Sequence, residues 1–293
     1  MPSGIAVVVI AHNEDDVIER CLLSIIASTR YLREREPTSQ VEIVLVSDGS
    51  TDRTVEVAAN CMVGYDYFKI VSLEGPQGPS GARNQGAYHT DGEILCFIDG
   101  DDEIFQHHLW VVYKIFEHTD MGKPLDTVID GIPGGRLVIP VIHGQVGVLR
   151  TSVQLDDNVH PEWHTRIENV IPLNMAVRRV CHQFVEGWPA YSPFRRLALE
   201  DCAYARFVSS FFRTVKLSLP TCHYISYPGN TYDRQIKSGK FLTPPDRWVE
   251  PLPSKEELPY LELIRELELS RMAYLRKKMR LLGTPELRRL AIQ

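Results

Sequence analysis

The densest group of chemically competent side chains is Asp99-Gly100-Asp101-Asp102-Glu103. Carboxylates this close repel one another unless a cation or solvent neutralises them. Hard oxygen donors behind an apolar run suit Mg2+ or Mn2+ shared with a substrate phosphate; a solvated acidic turn is the alternative. An EF-hand is excluded, because the loop pattern, the glycine at its sixth position and its terminal Glu are missing. Two further polar clusters, His12-Asn13-Glu14-Asp15-Asp16 and Ser47-Asp48-Gly49-Ser50-Thr51-Asp52, also follow apolar runs. Neither GxxxxGK[ST] nor GxGxxG occurs, so the chain has no glycine-rich phosphate cradle of those two kinds. Any nucleoside diphosphate bound here needs a metal to offset its charge.

The elements that must carry these clusters alternate. Ile5–Ala11, Val41–Val46, Phe68–Leu73 and Glu93–Ile98 read as strands, the first as one buried on both faces. Helical spacing follows in Val17, Cys21, Leu22, Ile25 and Ile26, with Asn13 as its expected cap, and again over Thr54–Asn60. Strand–helix alternation implies a mostly parallel sheet with right-handed crossovers, whose ligands sit beyond the strands' carboxyl ends. The three polar clusters lie at those ends and should converge. From about residue 126, Gly131-Ile132-Pro133-Gly134-Gly135 and His143-Gly144-Gln145 interrupt short Val/Ile runs, which predicts hairpins and loops. Residues 195–212 read as helix and 215–227 as strand. Pro244, Pro245, Pro251, Pro253 and Pro259 punctuate a stretch expected to be irregular, and Tyr260–Leu282 reads as a long helix.

Composition bounds the partners. The 293 residues include 38 acidic and 32 basic side chains, a formal charge of -6. A net acidic chain lacks the positive charge that drives non-specific nucleic-acid binding. The six cysteines show no CxxC pair, so neither a disulfide framework nor a structural zinc site is expected. Cys21, Cys96 and Cys202 sit among apolar neighbours and read as core. The first apolar run is too short for a signal peptide or a span, and no later stretch reaches 18 apolar residues. The expectation is a soluble, cytoplasmic protein.

Four ordered motifs then point one way. Val7–Ile26 (VVVIAHNEDDVIERCLLSII), Val41–Thr54 (VEIVLVSDGSTDRT), Gly78–Gly86 (GPSGARNQG) and Ile94–Asp102 (ILCFIDGDD) resemble the successive signatures of family 2 glycosyltransferases. The resemblance is dense over residues 5–118 and returns at Asn174–Arg179, Gly187-Trp188 and Leu199–Arg206. It implies the GT-A fold, a Rossmann-like α/β arrangement with a mixed, mostly parallel sheet flanked by helices, here with a C-terminal helical extension. It also implies a nucleotide-sugar donor, a Mn2+ or Mg2+ cofactor and inversion at the anomeric centre. On that basis residues 1–118 form the donor-binding half and 119–230 the acceptor-binding and catalytic-base half. Residues 231–259 form a Pro-rich linker and 260–293 the helical extension.

The family's roles carry over position by position. Ala11, His12 and Glu14 should line the nucleoside pocket. Asp48 matches the acid that accepts from the base N–H, commonly of uracil; an Asx-turn is its local alternative. Arg83 matches a basic residue near the base or diphosphate, unless it is a solvated helix side chain. Asp99-Gly100-Asp101 is the DxD motif, with Asp101 as direct metal ligand, Asp99 as ribose or water-mediated partner, and Asp102 able to exchange with either. Glu200-Asp201 matches the signature whose aspartate is the general base, although acids also favour a helix start. Glu200, Trp188 and His223 are candidates for contact with acceptor or diphosphate. Trp188 would stack on a sugar, or simply belong to the core, and His223 is a diphosphate or structural histidine. His107-His108 and the His160/Trp163/His164 group read as solvated.

The implied reaction is non-processive transfer from a UDP-linked sugar to a hydroxyl on a saccharide, lipid-linked or small-molecule acceptor. Processive relatives carry Q-x-x-R-W and membrane helices; here only Asp246-Arg247-Trp248 remains. A nucleotide-sugar pyrophosphorylase would carry a Gly/Arg-rich loop where His12-Asn13-Glu14 stands. A non-catalytic nucleotide-sugar-binding relative, acting as partner or regulator, would be marked by loss of the base, yet Asp201 is present. The basic terminal helix suits core packing, a homodimer or peripheral contact with an anionic membrane.

Overall fold

The computed structural model describes residues 4–120, 128–132, 135–138, 145–155, 159–228, 230–249, 252–283 and 285. In chain order the elements are β1 (Ile5–Ala11), α1 (Ile18–Arg35), β2 (Val41–Ser47), α2 (Thr54–Cys61), β3 (Phe68–Ser72), α3 (Pro79–Tyr88), β4 (Ile94–Asp99), β5 (Glu103–Ile104) and α4 (His108–Asp120). There follow β6 (Val128–Ile132), β7 (Gly135–Val138), β8 (Val148–Gln154), α5 (Pro161–Glu168), β9 (Met175–Arg178), α6 (Arg179–Phe184), α7 (Ser192–Leu197), α8 (Glu200–Phe211), β10 (Thr214–His223), α9 (Thr231–Lys237) and α10 (Leu258–Leu282).

Eight strands form one sheet in the order β3-β2-β1-β4-β9-β8-β10-β5, while β6 and β7 pair as a separate hairpin. The first four strands are parallel, as their helical crossovers require. β9 then pairs antiparallel with β4 and β8, so the second half of the chain extends the same sheet. Register brings Ile10 opposite Asp99 and Ala11 opposite Ser47, which aligns the ends of β1, β2 and β4. The convergence expected from the sequence follows from this register.

Alternate residues of β1 feed two cores, as the two-residue period of a strand dictates. Val7, Val9 and Ala11 pack with Cys21, Leu22 and Ile25 of α1 and Leu109 and Phe116 of α4. Ala6, Val8 and Ile10 face the other way, with Ala82 of α3 and Tyr204 and Phe207 of α8. Helix α3 approaches β1 so closely that a Cβ on Gly86 would lie 2.2 Å from Val8 Cγ1. Only glycine permits that approach, and α3 carries Arg83. In the second core, α10 buries Ile264, Met272 and Leu275. Its Arg271 donates to the carbonyls of Val185 and Gly187, and Lys278 to that of Phe184. These two cations of the basic helix are therefore turned onto the protein, where they satisfy carbonyls around the end of α6.

Several local expectations are corrected. Asn13 does not cap α1, which starts at Ile18 without a side-chain cap; its Oδ1 accepts from the Thr51 N–H instead, at 2.8 Å. The helix expected over 195–212 is broken in two, with Ala198 in the left-handed region at φ 50°. The strand expected over 215–227 ends at His223. Residues 231–237, assigned to a proline-rich linker, form α9, because Asn230 caps it by accepting from the Asp233 N–H and the prolines begin only at 244. His107 and His108 are buried at 2% and 1% exposure, not solvated; they bond to Pro220 O and Thr221 Oγ1. Trp163 is likewise buried, its indole N–H reaching Thr243 O. Cys202 lies on the exposed face of α8, whereas Cys21 and Cys96 are core. Pro133, Gly134, His143 and Gly144 lie outside the described residues. Among those described, no helix is long and apolar enough to cross a membrane.

Candidate active site

A cleft of about 480 Å3 opens at the carboxyl ends of β1, β2 and β4. Its lining includes Ala11, His12, Glu14, Asp48, Asp99 and Asp101, all anticipated from the sequence. The loops after β1 and β2 are laced together. His12 Nδ1 bonds to Asp48 O at 2.7 Å, the Glu14 N–H donates to Thr54 Oγ1 at 2.8 Å, and the Asp15 N–H to Asp52 Oδ2 at 3.1 Å. Asp48 accepts from the Gln77 and Gly78 N–H groups at 2.6 and 2.8 Å, one on each carboxylate oxygen. It thereby pins the segment before α3 as a wall of the cleft, and the second lone pair of each oxygen remains for a ligand.

At the floor, Asp99, Asp101 and Asp102 each offer an oxygen within 4.8 Å of the others. Glu14 packs against the middle of the motif: a Cβ on Gly100 would lie 2.2 Å from Glu14 Oε2 and 3.1 Å from Ile10 O, so a side chain there would displace the Glu14 carboxyl. Burial, then the charges of Asp101 and Asp99, pushes the Glu14 carboxyl up to about 9. Asp101 is pushed up to about 6 by burial and by Asp99. Asp102, 1% exposed, is raised by burial and the same neighbours, although it accepts from the Ile225 N–H at 3.2 Å. Asp99, Asp101 and Asp102 form an all-oxygen donor set, with Glu14 Oε2 buried beside them and unpaired among the described residues. Such a set fits a hard divalent cation, whose charge would relieve the crowding.

Of the two readings of Arg83, the solvated helix residue is ruled out: it is 2% exposed and bridges two acids. Its Nη2 donates to both oxygens of Asp99 at 2.8 and 3.0 Å, and its Nη1 to Asp201 Oδ1 at 2.7 Å. Burial works against the guanidinium charge, but Asp99 and Asp201 outweigh it and hold Arg83 firmly protonated. The two carboxylates, 102 positions apart in sequence, remain 30% and 31% exposed. Burial pushes the Asp201 carboxyl up and Arg83 pulls it back, leaving a net rise. Glu200, beside it, is pushed up to about 7 by burial and the Asp201 charge.

Trp188 does not offer a face to a sugar. It is 2% exposed, stacked on Tyr204 at 3.8 Å, with the Arg83 guanidinium 4.6 Å from its ring centroid. It is the apolar floor on which Arg83 rests. Its backbone N–H and C=O both bond to the Asn84 side chain, which ties Gly187-Trp188 to α3. His223 ends β10 opposite Glu103 in β5, next to the acidic cluster and outside the cleft lining. Arg195 of α7 was missed by sequence reading, yet it lines the cleft and donates from Nη1 to Pro76 O at 2.8 Å. Nothing in the string Phe194-Arg195-Arg196 separates it from its neighbour: Arg196 points elsewhere, over the Tyr260 ring at 4.5 Å.

The family model for glycosyl transferase family 2 matches residues 6–197. Glycosyltransferase AglE of Haloferax volcanii is 33% identical over 159 residues, 53% of this chain and 47% of that protein. The teichoic acid poly(glycerol phosphate) polymerase of Staphylococcus epidermidis is 22% identical over 72% of this chain and 33% of its own length. The chain thus spans about half, or less, of these curated relatives. Among solved structures, S. aureus TarS 1-349 in complex with UDP-GlcNAc superposes with a TM-score of 0.56, covering 78% of this chain and 60% of that one. The mannosyltransferase PcManGT of Pyrobaculum calidifontis, in complex with GDP-Man and Mn2+, also gives 0.56, over 98% and 77%. Both are 17% identical to this chain, and the likeness is one of fold, the GT-A arrangement.

Proposed function

The chain belongs to glycosyl transferase family 2, and on that premise we propose that it transfers a sugar from a nucleoside-diphosphate donor, UDP-linked, to an acceptor hydroxyl with inversion. The observation that carries this reading is the Arg83 bridge. A donor-side acid at the end of β4 and a carboxylate from α8 share one guanidinium at 2.7–3.0 Å. Ala11, His12 and Asp48 bind the nucleoside, with Asp48 using its remaining lone pairs for the base N–H. Asp101, with Asp99 or Asp102, holds Mn2+ or Mg2+. When bound, that ion supplies charge neutralisation for the departing diphosphate.

Asp201 accepts the acceptor-hydroxyl proton as the oxygen bonds to C1; the C1–O bond to the diphosphate breaks and its electron pair leaves with the phosphate. Arg83 aims Asp201 and opposes its protonation. Glu200 stays beside the base as an acceptor-side contact. Residues 1–118 serve the donor, and 119–230 the acceptor and the base. The neighbours that bind UDP-GlcNAc and GDP-Man support a nucleotide-sugar donor of this general kind. The test is calorimetric titration of UDP and GDP with and without Mn2+, on the wild type and on Asp101→Ala. Metal-dependent UDP binding lost in the variant supports the reading; GDP preference moves it to GDP-sugars; absence of binding to either nucleotide overturns it.

A further inference from the structure

We propose that Arg195 works with Asp48 to read the nucleobase, selecting bases that present an N–H beside a carbonyl. The inference rests on the donor reading above. Asp48 holds the N–H groups of Gln77 and Gly78, and Arg195 holds the carbonyl of Pro76, so between them the two side chains grip three consecutive residues. The Arg195 chain lies flat across Gly78: a Cβ there would meet its Cδ, Cγ and Nε at 2.9–3.1 Å. Glycine at 78, with φ +81°, is what lets the guanidinium reach the cleft.

The rest of the titratable lining sharpens the point. Glu14, Asp48, Asp99 and Asp101 are acids, and Arg195 is the one Lys or Arg among the described lining residues. Only its Nη1 bonds to Pro76 O; the guanidinium has further N–H donors in a fixed plane. An acceptor (Asp48) beside a donor (Arg195) matches uracil, whose N3–H is flanked by carbonyls, and guanine, whose N1–H adjoins O6. In the same register, ring nitrogen to Asp48 and exocyclic group to Arg195, cytosine and adenine mismatch: each sets a ring-nitrogen acceptor against the carboxylate and an amino group against the guanidinium. A mismatched pair leaves polar groups of the site without partners, which is a strong basis for rejection.

The test is calorimetric titration of UDP, CDP, GDP and ADP, with Mn2+ present, on the wild type, Arg195→Leu and Arg195→Lys. Circular dichroism checks that each variant folds. The wild type is expected to favour UDP over CDP by roughly tenfold or more. Arg195→Leu is expected to bring the UDP/CDP ratio to within about threefold of unity, and Arg195→Lys to keep part of the preference. If Arg195 only props the Pro76 segment, the variants weaken all four nucleotides by the same factor and the ratio stays, which overturns the proposal. A wild type that binds UDP and CDP equally overturns it as well. A wild type that binds none of the four nucleotides removes the donor reading beneath it.

Discussion

Two of the buried arginines, each 2% exposed, hold their charge in different ways. Arg178, at the end of β9, sends Nε to Val146 O at 2.7 Å and both terminal nitrogens to the Asp120 carboxylate, while its plane lies over Phe116. Its partners are buried with it, and the arrangement ties β9 to the end of α4. Arg83 divides its nitrogens between two acids from different halves of the chain, and its Nε has no partner among the described residues. Asp99 lines the cleft, and both partners stay about a third exposed. The first pair is closed, the second open to solvent. Burial of a charge alone does not mark a site; exposure of its partners does.

The predictions break this contrast in order of expected effect. Asp201→Asn, on the open side, should lower transfer about 10²–10⁴-fold while leaving nucleotide affinity within about twofold, measured by product formation and calorimetry. Arg178→Met, on the closed side, should do the reverse. It removes the Arg178 partner of the buried Asp120 carboxylate and should cost about 3–5 kcal/mol in urea denaturation, with nucleotide affinity unchanged in the folded fraction. Mn2+ at about a hundred times its dissociation constant should add about 2.7 kcal/mol of stability, read as a rise in Tm that EDTA reverses. Asp101→Asn should remove most of that rise; an undiminished rise would locate the ion elsewhere.

The smallest effect concerns two buried neutral histidines outside both arginine pairs. His108 and His182 are held down to about 3, from 6.5, chiefly by burial. The unfolded chain takes up their protons below about 6.5 and the folded one does not, so each one's contribution is complete above that pH and lost as pH falls toward 3. At pH 5 the loss is about 2 kcal/mol per histidine. His182→Gln, which can keep a hydrogen bond to the Tyr204 hydroxyl, should therefore show a shallower fall in urea stability between pH 7 and 5 than the wild type.

Much of the N-terminal part of the sheet was legible because its signals are local. The apolar run of β1 coincides with the observed strand, and strand alternation puts His12, Asp48 and Asp99 at one edge without knowledge of any contact. What was not legible depends on partners far apart in sequence. Trp188 reads equally as sugar platform or core until Tyr204 is seen covering it, and His108 reads as solvated until Thr221 reaches it from β10. Arg83 suggests a phosphate contact in isolation; only the fold joins it to Asp201. Arg195 carries no motif, and its position follows from a short helix whose end turns at Ala198.

Helix α7 is only six residues long, yet its two adjacent arginines leave in different directions, Arg196 to Tyr260 on α10 and Arg195 to the cleft wall. Its outer arginine is fastened to the C-terminal helix, and its inner one rests on the segment before α3. Loosening the outer fastening, by shortening α10 or by fusing a bulky tag to it, would thus register at the nucleotide, far along the chain from the alteration. The C-terminal helix reaches, through α7, one wall of the cleft as well as the second core.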